Sequence, residues 1–123
     1  MTKRQQSILT LRIISRLGYF YCENESYTQS HINKVLSIIK NLPDKIQPTI
    51  YIGFDSSIKL TYGNINGSRY LEFNIYTNKE EVMGFIRATE RDINQKFLFK
   101  NLTMKNYIEK VDVFNNSTMS EVV

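Results

Sequence analysis

Apolar and polar residues alternate along the middle of the chain, between Gln47 and Arg87. Alternation with a period of two predicts strands that have one buried face and one open face. Four strands are predicted, at Thr49–Phe54, Ile58–Tyr62, Arg69–Thr77 and Glu81–Arg87. The segments that join them are short and rich in Asp, Asn, Ser and Gly, which favours antiparallel pairing of consecutive strands. The pattern therefore predicts a four-stranded antiparallel meander.

The alternation also assigns the side chains of the first three strands to two faces. The predicted inward set consists of large apolar residues: Ile50, Ile52, Phe54, Ile58, Leu60, Tyr62, Leu71, Phe73 and Ile75. The predicted outward set is polar and tyrosine-rich: Tyr51, Lys59, Thr61, Tyr70, Glu72, Asn74 and Tyr76. We expect the inward set to face a layer of helices.

Two helices are predicted before the strands, because apolar residues recur there at steps of three and four. The first covers Arg4–Leu17, and Gly18 is placed to end it as the residue after the C-cap. The second begins at Ser26, the N-cap of a capping-box sequence that continues to Gln29, and runs to about Asn41, ahead of Pro43.

After the strands, the polar segment 89–96 is predicted to be a loop or a short helical turn, followed by an apolar cluster at Phe97–Phe99. A third helix begins near Asn101 or Leu102, and its apolar stripe ends at Phe114. The polar stretch 115–123 is predicted to be a frayed tail. The fold class is therefore α+β, with two N-terminal helices, the meander, a C-terminal helix and a single layer of helices on one sheet face, all in one domain of residues 1–123.

Composition adds an expected cellular setting to this picture. The chain has 123 residues, of which 41% are hydrophobic and 23% charged, so it can fold without a disulfide or a metal. With one cysteine, no membrane-length apolar run and no signal-peptide pattern, we expect a cytoplasmic protein. Its richness in Ile, Asn and Lys is typical of AT-rich coding sequences, such as those of low-GC bacteria and their phages. A net charge of +4 permits an anionic partner without requiring one.

The residues offer little for catalysis. The chain has one histidine, His31, and one cysteine, Cys22, and nothing in their spacing makes them neighbours. His31 lies at the edge of an apolar helical stripe, where a boundary residue is expected. There is no phosphate-binding glycine motif and no cluster of residues with metal-ligand spacing. We therefore expect a non-enzyme without cofactor or metal, and Cys22–His31 chemistry is the one exception left open.

Six residues are candidates for binding a partner. Tyr51, Lys59, Tyr70 and Tyr76 belong to the predicted open face, where tyrosines mixed with cations suit either a protein interface or a platform for single-stranded nucleic acid. The alternatives are a helix packed over that face and an ordinary solvated sheet. Arg12 and Arg16, one turn apart on the first helix, form either a solvated face or an anion-contacting ridge.

The middle half of the chain resembles a group of small bacterial and phage-borne proteins of unknown function. The resemblance lies in a helix that ends at Leu42-Pro43, a Pro48-Thr49-Ile50 strand start, an Asp55-Ser56-Ser57 turn and paired strands at 58–62 and 71–73. This chain departs from the group in having serines after the turn aspartate and Tyr19-Phe20-Tyr21 instead of a Trp-rich loop. The resemblance implies a compact helix-plus-sheet fold and no particular activity.

These observations together favour a small, non-catalytic protein-interaction module. An accessory or inhibitor protein of a phage or mobile element, which binds a host defence complex, would fit the size and composition. The alternative is a nucleic-acid-binding module that uses the open face together with Arg12, Arg16 and Lys59. An exposed edge of the meander would also permit a homodimer, since unpaired strand edges invite pairing.

Overall fold

The computed structural model describes the backbone of residues 1–21, 29–52, 57–76 and 79–119, and the side chains of these residues except 15–21, 29 and 116–119. The helices are α1 (Lys3–Tyr21), α2 (Gln29–Asn41) and α3 (Met104–Met119). The strands are β1 (Thr49–Ile52), β2 (Ser57–Gly63), β3 (Arg69–Tyr76), β4 (Val82–Ala88) and β5 (Ile93–Phe99). None of the described helices is long and apolar enough to cross a membrane. The predicted α+β class is confirmed.

The sheet has five strands within the described residues, so the prediction of four is wrong in number. All neighbours are antiparallel, and the order β1-β2-β3-β4-β5 follows the chain. The missed strand is β5, which lies in the segment 89–96 predicted as a loop or helical turn and in the apolar cluster after it. A short 3₁₀ turn at Thr89–Arg91 leads to Asp92, whose φ of 56° reverses the chain into β5. Polar, solvent-exposed side chains interrupt the alternation of apolar and polar residues in β5, which lies at the edge of the sheet.

The bounds of two helices also differ from the predictions. Helix α1 continues through Gly18 to Tyr21, so the glycine does not end it. Helix α3 starts at Met104 and continues to Met119, so the polar stretch from Asn115 is helical at least that far. The predicted capping-box residue Ser26, Phe54, and Asp55 and Ser56 of the predicted turn lie outside the described residues, whereas Ser57 of that turn begins β2.

The core lies between the helices and the inward face of the sheet. Five of the six inward residues of β2 and β3 are buried as predicted, Tyr62 is half-buried, and Val82 and Ile86 of β4 continue the same face. They form one cluster with Leu11 and Ile14 of α1, with the apolar stripe of α2, and with Tyr107, Val111 and Phe114 of α3. All three described helices therefore contribute to the same side of the sheet.

A chain of two hydroxyl groups ties α3 to the strands and to the turn that follows α2. The Tyr62 hydroxyl donates to the Ile46 carbonyl oxygen at 2.7 Å. Because its one hydrogen is committed there, the Tyr107 hydroxyl, also at 2.7 Å, must be the donor to the Tyr62 oxygen. Burial raises the pKa of both phenols, so both stay protonated at neutral pH. These two hydrogen bonds, called the relay below, run in one direction from Tyr107 through Tyr62 to the Ile46 carbonyl oxygen.

Buried polar side chains close the ends of the helix layer. The Gln47 amide, which is buried, donates to the carbonyl oxygens of Ile39 and Leu42 at 2.8 and 2.9 Å. It satisfies carbonyls at the C-terminus of α2 that have no partner within the helix. Arg4 donates to the same Leu42 oxygen and pairs with Asp44 at 3.0 Å, which fixes the start of α1 against this turn.

Candidate functional site on the open face of the sheet

The face of the sheet that points away from the helices is called the open face below. Because side chains alternate along each strand and the register is known, its members follow directly. They are Thr49, Tyr51, Ser57, Lys59, Thr61, Tyr70, Glu72, Asn74, Tyr76, Met83, Phe85, Arg87, Asn94, Lys96 and Leu98. In the part of the chain that the structure describes, no helix packs on this face.

A compact polar network occupies the centre of the open face. Glu72 accepts hydrogen bonds from the Tyr70 hydroxyl and from the Asn74 amide, each at 2.8 Å. The Lys59 ammonium donates to Asn74 Oδ1 at 2.5 Å and lies 3.5 Å from Glu72 Oε2. The network therefore pairs Lys59 of β2 with Glu72 of β3, both directly and through the neutral amide of Asn74, and Tyr70 supplies a further donor to the carboxylate.

The network keeps Glu72 ionised. Burial alone would raise the pKa of this carboxyl group, but the hydrogen bonds from Asn74 and Tyr70 and the charge of Lys59 outweigh it, so the pKa is lowered. The pKa of Tyr70 is raised, first by burial and then by its hydrogen bond to the carboxylate. At neutral pH the centre of the face is therefore charge-balanced and internally satisfied.

The loop between β2 and β3 folds back beside this network. Arg87 holds it, because its guanidinium donates to the carbonyl oxygen of Ile65 at 2.5 Å and to that of Gly67 at 2.8 and 3.1 Å. Gly63 starts the loop with a φ of 80°, where a Cβ atom would also lie 2.4 Å from the Arg69 carbonyl oxygen. The loop separates two shallow concavities of about 730 and 350 Å³, and Tyr70 and Glu72 line both.

Apolar side chains surround the network and reach solvent. Tyr51 is 56% exposed, Ile65 60%, Met83 46% and Leu98 54%. Phe85 is half-buried on the same face, and the Arg87 guanidinium lies 5.8 Å from the centre of its ring. The open face thus has a satisfied polar centre and an accessible apolar surround.

The structure places the six sequence candidates in different settings. Tyr51, Lys59, Tyr70 and Tyr76 are on the open face, as predicted from the alternation. Tyr70 is only 6% exposed, so its ring is not available for stacking. Tyr76 is half-buried, with the Lys79 ammonium 5.2 Å from its ring centre.

The two arginine candidates do not belong to the open face. Arg12 is exposed on α1, which belongs to the helix layer on the other side of the sheet. Arg16 is on the same helix, but its side chain lies outside the described residues. The predicted surface that combines Arg12 with Lys59 is therefore not a single surface in this fold.

Sequence reasoning missed the part of the open face that β4 and β5 supply. Period-two alternation applied to β4 identifies Met83, Phe85 and Arg87 as outward residues, since Val82, Gly84 and Ile86 alternate with them. Lys96 and Leu98 required β5 to be recognised as a strand. The apolar exposure of the face is concentrated on these two strands and on Tyr51.

The residues considered for catalysis are not assembled into a site among those that the structure describes. His31 is buried and its Nε2 lies 2.7 Å from the Ile75 carbonyl oxygen, so this nitrogen carries a proton and donates. Burial is the main cause that lowers its pKa. It is thus a buried hydrogen-bonding residue and not the boundary residue predicted. Cys22 lies outside the described residues, and no group of three or more potential metal ligands occurs within them.

Comparisons of the chain with protein-family models, with curated proteins and with solved structures found no match. The resemblance to small bacterial and phage-borne proteins stays a prediction.

Proposed function

We propose that this chain is a non-catalytic protein-binding module and that the open face is its contact surface. The observation that supports this proposal is the exposure of Tyr51, Met83 and Leu98 around a polar network that is already satisfied. Met83 and Leu98 are direct cross-strand neighbours, and exposed apolar side chains that lie together typically mark an interaction site. Tyr, Met and Arg are also enriched in protein interfaces. A partner can cover these side chains without leaving Glu72 or Lys59 unpaired.

A nucleic-acid partner has less support from the same face. Stacking needs exposed aromatic rings and phosphate binding needs available cations. Here the ring of Tyr70 is buried, Lys59 is paired with Glu72, and Arg87 donates to the carbonyl oxygens of the β2–β3 loop. A carboxylate at the centre of the face also opposes a polyanion.

The small size of the chain and its richness in Ile, Asn and Lys support a more specific form of the proposal. It is that the module is an accessory or inhibitor protein of a phage or mobile element and that its partner is a host defence complex. This form rests on composition and resemblance, whereas the protein-binding surface rests on the contacts described above.

The test compares two substitutions that place the same charge at equally exposed apolar positions. Met83 on the open face is 46% exposed and Val113 on α3 is 45% exposed. Tagged wild-type protein, Met83→Glu and Val113→Glu are used for quantitative affinity capture from the native host. We expect Met83→Glu to lose a protein that the wild type and Val113→Glu retain, since a charge at a buried interface core position costs affinity. Equal capture by all three, or no captured protein, would contradict the proposal.

Labelled single-stranded DNA and RNA provide the second arm of the test. If the nucleic-acid alternative holds, binding at low salt weakens steeply as salt rises, and Lys59→Gln reduces the slope. If the proposal holds, no salt-dependent binding is measured.

A further inference from the structure

The outer edge of β5 has no strand partner among the described residues. The strand is seven residues long, Ile93–Phe99, and all seven of its side chains are exposed or half-buried. The opposite edge, β1, is different: it has only four residues, follows Pro48, and lies against the start of α1, where the Ser7 hydroxyl donates to the Pro48 carbonyl oxygen at 3.5 Å. The long edge at β5 is therefore the accessible one.

The hydrogen-bond phase of the sheet identifies which groups of β5 face outward. The amide of Thr89, the residue after β4, donates to the Ser68 carbonyl oxygen. The residues of β4 whose main-chain groups hydrogen-bond to β3 are therefore those that lie an even number of positions before Thr89. In an antiparallel ladder these alternate with the residues that bond to the next strand. The β4–β5 bonds therefore use Ile93, Gln95, Phe97 and Phe99. The amide and carbonyl groups of Asn94, Lys96 and Leu98 point to the free edge.

Lysines predominate around this edge, although Asp92 directly precedes the strand. Lys96 is on the open face of β5, and Lys100 follows directly after the strand. On the helix side, the Lys110 ammonium lies 4.8 Å from the ring centre of Phe97 and 6.0 Å from that of Phe99. None of these three lysines forms a salt bridge within the described residues. A strand added here would meet cations on both faces, beside the exposed side chain of Leu98.

A second copy of the chain is a poor occupant of this edge. The fullest antiparallel overlap of two β5 strands, with their free groups paired, places Lys96 directly opposite its own counterpart. Like charges directly opposite each other on one face are destabilising. A central lysine is also a common device against edge-to-edge self-association.

We propose that the β5 edge binds an extended acidic segment of a partner protein as a sixth strand of the sheet, with an acidic residue opposite Lys96 and an apolar residue opposite Leu98. The main-chain groups of Asn94, Lys96 and Leu98 supply the pairing, and the three lysines select the charge. This inference rests on the proposed function, since it names the chemistry of the partner of the open face. The added strand would also extend that face beyond Leu98.

The direct test uses a synthetic peptide with blocked ends and the sequence Thr-Val-Thr-Glu-Thr-Val-Thr. Its symmetry allows an apolar residue opposite Leu98 in either strand direction. The peptide is titrated to millimolar concentration into the ¹⁵N-labelled full chain. We expect saturable chemical-shift changes centred on the amides of Asn94, Lys96 and Leu98. No saturable change, or changes centred elsewhere, would overturn the inference.

Two altered peptides separate backbone pairing from charge attraction. A peptide N-methylated at its five central residues keeps the side chains and loses the donors that would face β5 in either strand direction, so it should not bind. A peptide with lysine in place of glutamate should bind about tenfold more weakly. Equal binding by the N-methylated peptide would show that no strand is added and would overturn the inference.

Charge reversal in the protein completes the design. Lys96→Glu should weaken binding of the glutamate peptide by about tenfold and restore binding of the lysine peptide. The control is Lys3→Glu, at an exposed site at the start of α1, which makes the same change in net charge and should alter the binding of neither peptide. Shifts of the β5 amides by a short oligothymidylate, without shifts by the peptide, would overturn the inference in favour of nucleic acid. In affinity capture, a protein lost with Met83→Glu but retained with Lys96→Glu would leave the protein-binding module standing and overturn strand addition.

Discussion

Replacement of the two linked tyrosines by phenylalanine should have unequal effects, because the relay has a direction. Tyr107 donates to Tyr62, which donates to the Ile46 carbonyl oxygen. Tyr107→Phe removes the first donor and leaves the second bond intact. The expected loss is about 1 kcal/mol of unfolding free energy, the usual net value of one hydrogen bond.

Tyr62→Phe should cost more than Tyr107→Phe. It leaves the hydroxyl of Tyr107, whose side chain is fully buried, without its acceptor, and it also removes the donor to Ile46. An unsatisfied buried hydroxyl costs about 1–3 kcal/mol, so the total is about 2–3 kcal/mol. In the double variant the stranded hydroxyl is gone, and we expect it to be no less stable than Tyr62→Phe alone.

The measurement is urea denaturation of the wild type, both single variants and the double variant. A double-mutant cycle then gives the coupling energy. Thermal midpoints provide a second readout, since about 1 kcal/mol corresponds to roughly 4 °C for a domain of this size. Additive losses, or a larger loss for Tyr107→Phe than for Tyr62→Phe, would refute the directed relay.

Three further predictions concern the sheet and its titrating groups. Gly84→Ala should lower the unfolding free energy by about 1–3 kcal/mol in urea denaturation, because a Cβ atom would lie 2.1 Å from the Phe97 ring and 2.5 Å from the Glu72 carbonyl oxygen; unchanged stability would contradict this packing. The lowered pKa of His31 means that the unfolded chain takes up its proton first, so stability should fall as the pH drops below about 6.5, and His31→Gln should remove that part of the slope. The lowered pKa of Glu72 contributes stability above about pH 4.5 that is lost as the pH falls further, and Glu72→Gln should abolish this loss while costing roughly 1 kcal/mol at pH 7. A Glu72→Gln variant with the wild-type acid profile would show that the network does not hold the carboxylate ionised.

The strands with one fully apolar face could be predicted from the sequence. In β2 and β3 every inward position is a large apolar residue, so alternation alone assigns both faces. In β5 the inward position 95 is glutamine and the strand lies at the edge, so the period-two pattern is interrupted where burial is weakest. An edge strand gains its structure from pairing with β4, which a local pattern does not contain.

The predicted end of α1 is wrong for a related reason. Gly18 has the conformational freedom to end a helix, but nothing obliges it to do so, and the chain continues helically to Tyr21. The site was only partly predictable as well. Alternation placed Tyr70 on the open face correctly. Its hydrogen bond to Glu72 on the same strand and the loop held nearby by Arg87 of β4 depend on side-chain geometry that alternation does not contain.

The separation of the two sheet faces gives this protein unequal room for sequence change. Residues of the inner face contact all three helices, so substitutions there alter the fold itself. The exposed positions Tyr51, Met83 and Leu98 lie outside that core, and surface changes of this kind usually alter stability by about 0.5 kcal/mol or less. A lineage could therefore exchange one binding partner for another by drift at a few open-face positions, with the scaffold passed on intact.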